Sequence, residues 1–375
     1  DIFNLYVWFE VIIISSFVLM TIGGRKTQIE GAIKYVAMNL LASVIFLTAI
    51  AILYGLTGTL NMADLSIQIA KVQNRELVNV TALLFFVGFG IKSAVFPLYF
   101  WLPSSYHTPP SAIAAAFGGL LTKVGIYAML RVFTLIFVPD EFTKNLFLVV
   151  AVATLLTGAF GAVIKHDIRK MFSYLIVCHI GYMIAGLGMF TEMAFVGVIF
   201  YMIHDIIVKT NLFLMTGIIY KIKGTVNMDK LGGLYEDYPK ISILMGVILF
   251  SLVGIPPLSG FWPKIYLFQE GFLSNSYVVI GALIFASFVT LYVIARMWSE
   301  VFWKESPDGK LQTDGLKSMK PYQRWLLVMP VVGLAGVSLF IGFGAESVIL
   351  VAKHIASEMI DTTPYINAVM HPVLK

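Results

Sequence analysis

Cysteine is nearly absent from this sequence: Cys178 stands alone among 375 residues. An intramolecular disulfide is therefore excluded, and no CxxC or Cys/His spacing suggests a metal or redox centre. No cofactor is indicated. Charge is also scarce, with 13% Asp, Glu, Lys and Arg against roughly 25% in soluble domains. The formal net charge is +5, but the charges gather in short clusters between apolar runs and form no stripe of the kind nucleic acid requires. Nucleic acid is excluded as a partner. What remains is apolar: 59% of residues are hydrophobic and the mean hydropathy is +0.87. Such a chain belongs in a lipid bilayer. No charged n-region or cleavage site precedes the first apolar run, and the chain opens at Asp1 rather than methionine. We expect a piece of a longer polypeptide.

A helix crossing the ~30 Å hydrocarbon layer at about 1.5 Å per residue needs about 20 mostly apolar residues. Ten segments qualify, near 2–23, 33–55, 77–102, 112–134, 145–164, 171–190, 193–220, 241–270, 277–300 and 325–345. The intervening charges alternate as a ten-span zigzag requires, because cytoplasmic loops are enriched in Lys and Arg. Arg25, Lys26 and Lys34 follow the first span, Lys165, Arg169 and Lys170 the fifth, and Lys221, Lys223, Lys230 and Lys240 the seventh. These loops read as cytoplasmic. So does the long loop after the ninth span, with Lys304, Lys310, Lys317, Lys320 and Arg324. The loops holding Asp64, Asp140 with Glu141, Glu192 and Glu270 read as external. From Pro103 to Ser111 there is no Lys or Arg, so that loop is placed inside by parity alone. The segment 61–71 is too short to span and suggests a surface helix, and 346–375 an amphipathic one.

Two spans carry glycine and proline in mid-membrane. The third reads FFVGFGIKSAVFPLYFWLP and the eighth SLVGIPPLSGFWPKIYLF. Proline removes a backbone donor and clashes with the preceding turn, so both helices should unwind there. Irregular backbone at that depth persists only inside protein or beside a wet cavity. A lysine stands by each break, Lys92 and Lys264, which points to an internal repeat with ion sites at the broken helices rather than to kinks used for packing.

A charge near the bilayer centre costs about 2.5–3.5 kcal/mol even on a lenient scale. Yet Glu10, Lys92, Lys123, His179, His204, Asp205, Lys209 and Lys264 lie within successive spans. For any one of them, a satisfied ion pair fixing helix packing is an equally good account. A file of them reads as a proton relay. Glu10 is the only carboxylate deep in the first four spans, which makes it the partner expected for Lys92. Asp205 and Lys209 are four residues apart on one helix face and suggest a local pair. His179 and His204 suit proton transfer if hydrated, although a lone buried histidine is more often a hydrogen-bonded core residue. Lys123, Tyr127 and Arg131, also at spacing four, suggest one polar stripe.

The segments DIFNLYVWFEVIIISSFVLMTIGG, FGIKSAVFPLYFWLPSSYHTPPSAIAAAFGGLLTKVGIYAMLR, DIRKMFSYLIVCHIGYM, IIVKTNLFLMTG and GIPPLSGFWPK resemble the antiporter-like subunits shared by Mrp complexes and respiratory complex I. NLYVWFE and GIPPLSGFWPK are most similar to the D-subunit branch of Mrp-type Na+/H+ antiporters. The resemblance implies an all-α polytopic fold of inverted five-helix repeats with two discontinuous helices, this chain beginning at the family's fifth helix. It divides the chain into the remainder of a first repeat (1–134), a second repeat (145–300), and a cytoplasmic loop, final span and C-terminal segment (301–375). Glu10 would be the carboxylate of the family's fifth helix and Lys92 its partner on the broken seventh. Lys123 would be the lysine of the eighth, Lys209 the bridging lysine of the eleventh and Lys264 that of the broken twelfth.

Two positions depart from the pattern: His204 is followed by Asp205 where paired histidines are common, and Cys178-His179 replaces Ser-Gln before IGYM. The implied partners are other Mrp antiporter subunits, Na+, H+ and the lipid of a bacterial inner membrane. No chemical bond would change, and no residue is assigned to the cation. Two competing readings are a proton-pumping membrane subunit of a complex I-like redox complex and a structural subunit with silent ion pairs.

Overall fold

The structure is a computed structural model that describes residues 1–306 and 315–370. Lys310, one of the loop charges, and the last five residues of the C-terminal segment lie outside the described residues. In chain order the helices are α1 (Ile2–Thr21), α2 (Lys26–Thr57), α3 (Met62–Gln68), α4 (Arg75–Ser93), α5 (Trp101–Ser105), α6 (Ser111–Ala116), α7 (Thr122–Leu135) and α8 (Glu141–Val163). There follow α9 (Ile168–Met189), α10 (Glu192–Lys223), α11 (Leu234–Asp237), α12 (Pro239–Val253), α13 (Phe261–Leu273) and α14 (Tyr277–Trp298). The chain then forms α15 (Pro321–Phe343), α16 (Ala345–Ile360) and α17 (Thr363–Met370). A π-bulge over Phe117–Leu121 joins α6 to α7 into one span. Among the described residues nine helices are long and apolar enough to cross a membrane. The tenth span foreseen in the sequence is divided between α12 and α13.

The two broken spans follow from their sequences. The α4 helix stops at Ser93, Ala94 takes a left-handed φ of 60°, and the chain resumes as helix at Trp101. The α12 helix stops at Val253, Gly254 takes a φ of 86° that suits glycine, and α13 begins at Phe261. The bonds Phe96–Pro97 and Pro256–Pro257 are cis. Each break frees carbonyls that a buried donor must satisfy. At the first, the Trp101 indole donates to the Ile91 carbonyl at 2.9 Å. At the second, Lys264 Nζ donates to the Val253 carbonyl at 2.8 Å, placing a cation at the negative end of α12.

Burial ranks the helices from centre to rim. In α9, 94% of the membrane-length window is buried, against 22% in α1. The α9 helix pairs most extensively with α8. Small residues permit this: a Cβ added at Gly158 would meet the Cys178 backbone nitrogen, and one at Gly181 would lie 2.8 Å from the Leu155 nitrogen. Replacing Gly158 with valine is expected to push α8 off α9, so that little assembled complex is recovered from membranes. An unchanged yield would show that the contact can relax.

Contacts between loops check the zigzag. His166, Asp167, Val226, Asn227 and Asp229, from the two loops read as cytoplasmic, meet through backbone hydrogen bonds and a 2.7 Å His166–Asp229 contact. The loop 103–111, uncharged and placed by parity alone, lies on this same side. It borders a cavity of about 290 Å³ whose lining includes Lys34, Lys165 and Lys170. Burial holds His107 there down to about 4, so it adds no charge to the three lysines. On the other side α17 packs on α3, and α16 packs against α10.

Candidate functional site

Two buried clusters occupy the interior, one at the first broken helix and one centred on α10 between the two breaks. At the first, Lys92 is only 4% exposed, donates to Ser43 Oγ of α2 at 3.2 Å, and lies 4.7 Å from the centre of the Phe9 ring. Glu10 is close enough for its charge to act on Lys92, yet among the described residues the two form no ion pair, and Glu10 Oε1 is buried without a hydrogen-bond partner. A cavity of about 20 Å³ lies beside Lys92, lined also by Tyr35, Asn39, Trp101 and Tyr106. A space of that size and polarity suits one water.

The second cluster centres on Asp205 of α10, which is fully buried. Its Oδ1 lies 2.8 Å from His179 Nδ1 of α9, and its Oδ2 lies 2.6 Å from Lys123 Nζ of α7. The Lys123 contact has the distance of an ion pair without hydrogen-bond alignment, and Lys123 Nζ donates instead to the Gly118 carbonyl within the π-bulge at 3.0 Å. The expected local pair of Asp205 with Lys209 is not formed. Helical spacing places the two on one face, but α9 and the π-bulge at the start of α7 pack against α10 and bring His179 and Lys123 to Asp205 instead. Lys209 Nζ is fully buried and makes no hydrogen bond among the described residues.

From α10 the polar contacts continue toward the second break. His204 Nδ1 lies 2.8 Å from Ser259 Oγ, Ser259 lies 2.9 Å from Ser338 of α15, and Ser338 donates to Ser251 of α12 at 3.2 Å. Lys264 sits at the end of α12, 5.3 Å from the Tyr182 ring centre. Lys123, Asp205, Lys209 and Lys264 are all near enough for their charges to act on His204. Toward the first cluster stand two buried hydroxyls without hydrogen-bond partners among the described residues, Ser93 Oγ next to Lys92 in the chain and Thr122 Oγ1 next to Lys123. The ends of α4 and α7 are in contact there, since a Cβ on Gly125 would strike Ser93.

The structure thus places Lys123 against Asp205, carries His204 and Lys209 on the helix of Asp205, sets Lys264 beyond them at the second break, and places Glu10 and Lys92 in a separate group at the first. The polar stripe foreseen on α7 does not hold. Lys123 is buried, Tyr127 is 54% exposed, and the Arg131 guanidinium stacks 4.1 Å from the Tyr365 ring centre of α17. The serines carried no signal in the sequence, because hydroxyl residues are common in apolar helices and satisfy themselves on their own backbone.

An all-helical bundle with two interrupted spans and a buried row of ionisable residues between them is a multi-pass membrane protein of the antiporter-like kind. The model of the NADH:quinone oxidoreductase/Mrp antiporter transmembrane family matches residues 1–290, and the chain belongs to that family. It is 41% identical over 371 residues to the D subunit of the Na(+)/H(+) antiporter of Alkalihalophilus pseudofirmus, covering 99% of this chain and 74% of that protein. A chain of the Mrp complex from Dietzia sp. DQ12-45-1b superposes with a TM-score of 0.89 at 29% identity, covering 99% of this chain and 76% of that one. A chain of respiratory complex I from Thermus thermophilus superposes with a TM-score of 0.80 at 23% identity, over 95% of this chain and 74% of that one, a likeness of fold alone.

Proposed function

We propose that this chain is a proton-translocating subunit of a multisubunit Na+/H+ antiporter in a bacterial inner membrane. Protons entering from outside move along a relay of Glu10, Lys92, Lys123, His204, Lys209 and Lys264, and the gradient that drives them expels Na+ from the cytoplasm. The residues 1–134 and 145–300 supply one broken helix each, with the Asp205 cluster between them. No bond to carbon is made or broken.

One observation carries this reading: a run of buried ionisable and hydroxyl groups lies between the two broken helices, within helices otherwise made of apolar residues. Packing alone would be served as well or better by apolar side chains of similar volume. The likeness to the D subunit of a Na+/H+ antiporter at 41% identity favours antiport over a redox-driven pump. The test uses the complete complex in sealed vesicles with an imposed pH gradient. Added Na+ is expected to dissipate the gradient with no electron donor present. Proton movement only during electron transfer would replace this reading with the redox one.

A further inference from the structure

Asp205 stands among more basic side chains than it can serve at once. The groups facing it are Lys123 of α7, His179 of α9, and His204 and Lys209 of its own helix, with Lys264 of α13 beyond. Its two oxygens are held differently. Oδ1 has a hydrogen-bond contact with His179 at 2.8 Å. Oδ2 rests 2.6 Å from Lys123 Nζ without hydrogen-bond alignment, while Lys123 has its own acceptor in the Gly118 carbonyl at 3.0 Å. Lys123 therefore keeps a partner if the carboxylate leaves.

One turn along α10, Lys209 Nζ is fully buried and, among the described residues, makes no hydrogen bond. Residues four apart on a helix are neighbours, so rotation of the two side chains closes the gap without moving the backbone. We propose that Asp205 is a shuttling carboxylate whose Oδ2 passes from Lys123 to Lys209 during transport while His179 keeps Oδ1.

This rests on the relay reading above and gives it a switching element. A buried ammonium is stable beside a carboxylate and costly without one. When Oδ2 moves, an N–H bond breaks at the Lys123 ammonium and another forms at the Lys209 amine, directly or through an intervening water. One proton changes hands and the cluster keeps its net charge. The transfer runs laterally, from the span of the first repeat to the helix that leads toward the second break.

The test compares Lys123→Met, Lys209→Met and the double variant in the complete complex, reading the amount assembled and its thermal stability. Each single variant leaves Asp205 one lysine, so both are expected to assemble within about twofold of the parent, whereas the double leaves none and should fall about tenfold further, a coupling expected only of groups that share a partner. A cryo-EM structure of the Lys123→Met complex should then show Asp205 paired with Lys209. Loss of the Lys123→Met variant to the level of the double overturns the shuttle, because it means Asp205 has no second partner. So does a structure in which Asp205 still faces the vacated site. Abolished antiport in Lys209→Met without coupling in assembly would keep the relay and discard the shuttle. A coupled cycle with full antiport in Lys209→Met would make Asp205 a packing ion pair and overturn the shuttle as well.

Discussion

Replacing Lys209 with methionine is expected to reduce Na+-dependent dissipation of a pH gradient by about 10²-fold or more, the order of loss when a positioned proton-transfer group is removed. The amount of assembled complex should hardly change. Methionine keeps most of the buried volume, and among the described residues Lys209 Nζ makes no hydrogen bond whose loss would strand another group. Lys209 is fully buried midway along α10, the helix that carries Asp205 and His204, so no bulk solvent can substitute for it. Quantitative blotting of the complex beside the vesicle assay separates the two effects. Full antiport in this variant would make the central lysine a packing residue.

Replacing Asp205 with leucine should have the opposite signature. It removes the carboxylate that contacts Lys123 and His179 and leaves Lys123 and Lys209 in the interior with no counter-charge from α10. Removing one partner from a buried ion pair costs about 3–5 kcal/mol, a large share of the ~5–15 kcal/mol that holds a typical domain folded. Little assembled complex is expected, and combining Asp205→Leu with Lys123→Met should restore part of it without restoring antiport. Normal assembly of Asp205→Leu alone would mean that water, rather than this carboxylate, satisfies the lysines.

The spans were legible in the sequence because apolar length is a one-dimensional property, and the breaks because Gly254, Pro97, Pro256 and Pro257 act locally on the backbone. The lysines were legible because a charge in an apolar run has so few structural uses. Partnerships were not. Asp205 and Lys209 share a helix face, yet Asp205 is held by residues 82 and 26 positions before it in the chain, Lys123 and His179. The two departures from the family pattern, His179 and Asp205, proved to touch each other, which their separate positions in the sequence did not reveal. Glu10 and Lys92 share a depth, but side-chain direction set Lys92 toward Ser43 and the Phe9 ring. The hydroxyl chain from His204 to Ser251 joins α10, the second break and α15, three elements that only tertiary packing assembles.

The central claim is that one continuous path joins the two broken helices, and the most direct measurement of it is a double-mutant comparison at the two ends. Lys92→Ala, Lys264→Ala and the double variant are placed in the complete complex, and initial rates of Na+-driven pH-gradient dissipation are read per assembled complex. A single path in series predicts that each replacement alone brings the rate to background, with the double no lower, since groups acting as one unit are strongly non-additive. Two independent half-channels predict that each single variant retains about half the rate and that only the double is silent, the additive behaviour of separate sites. That second result would contradict the account.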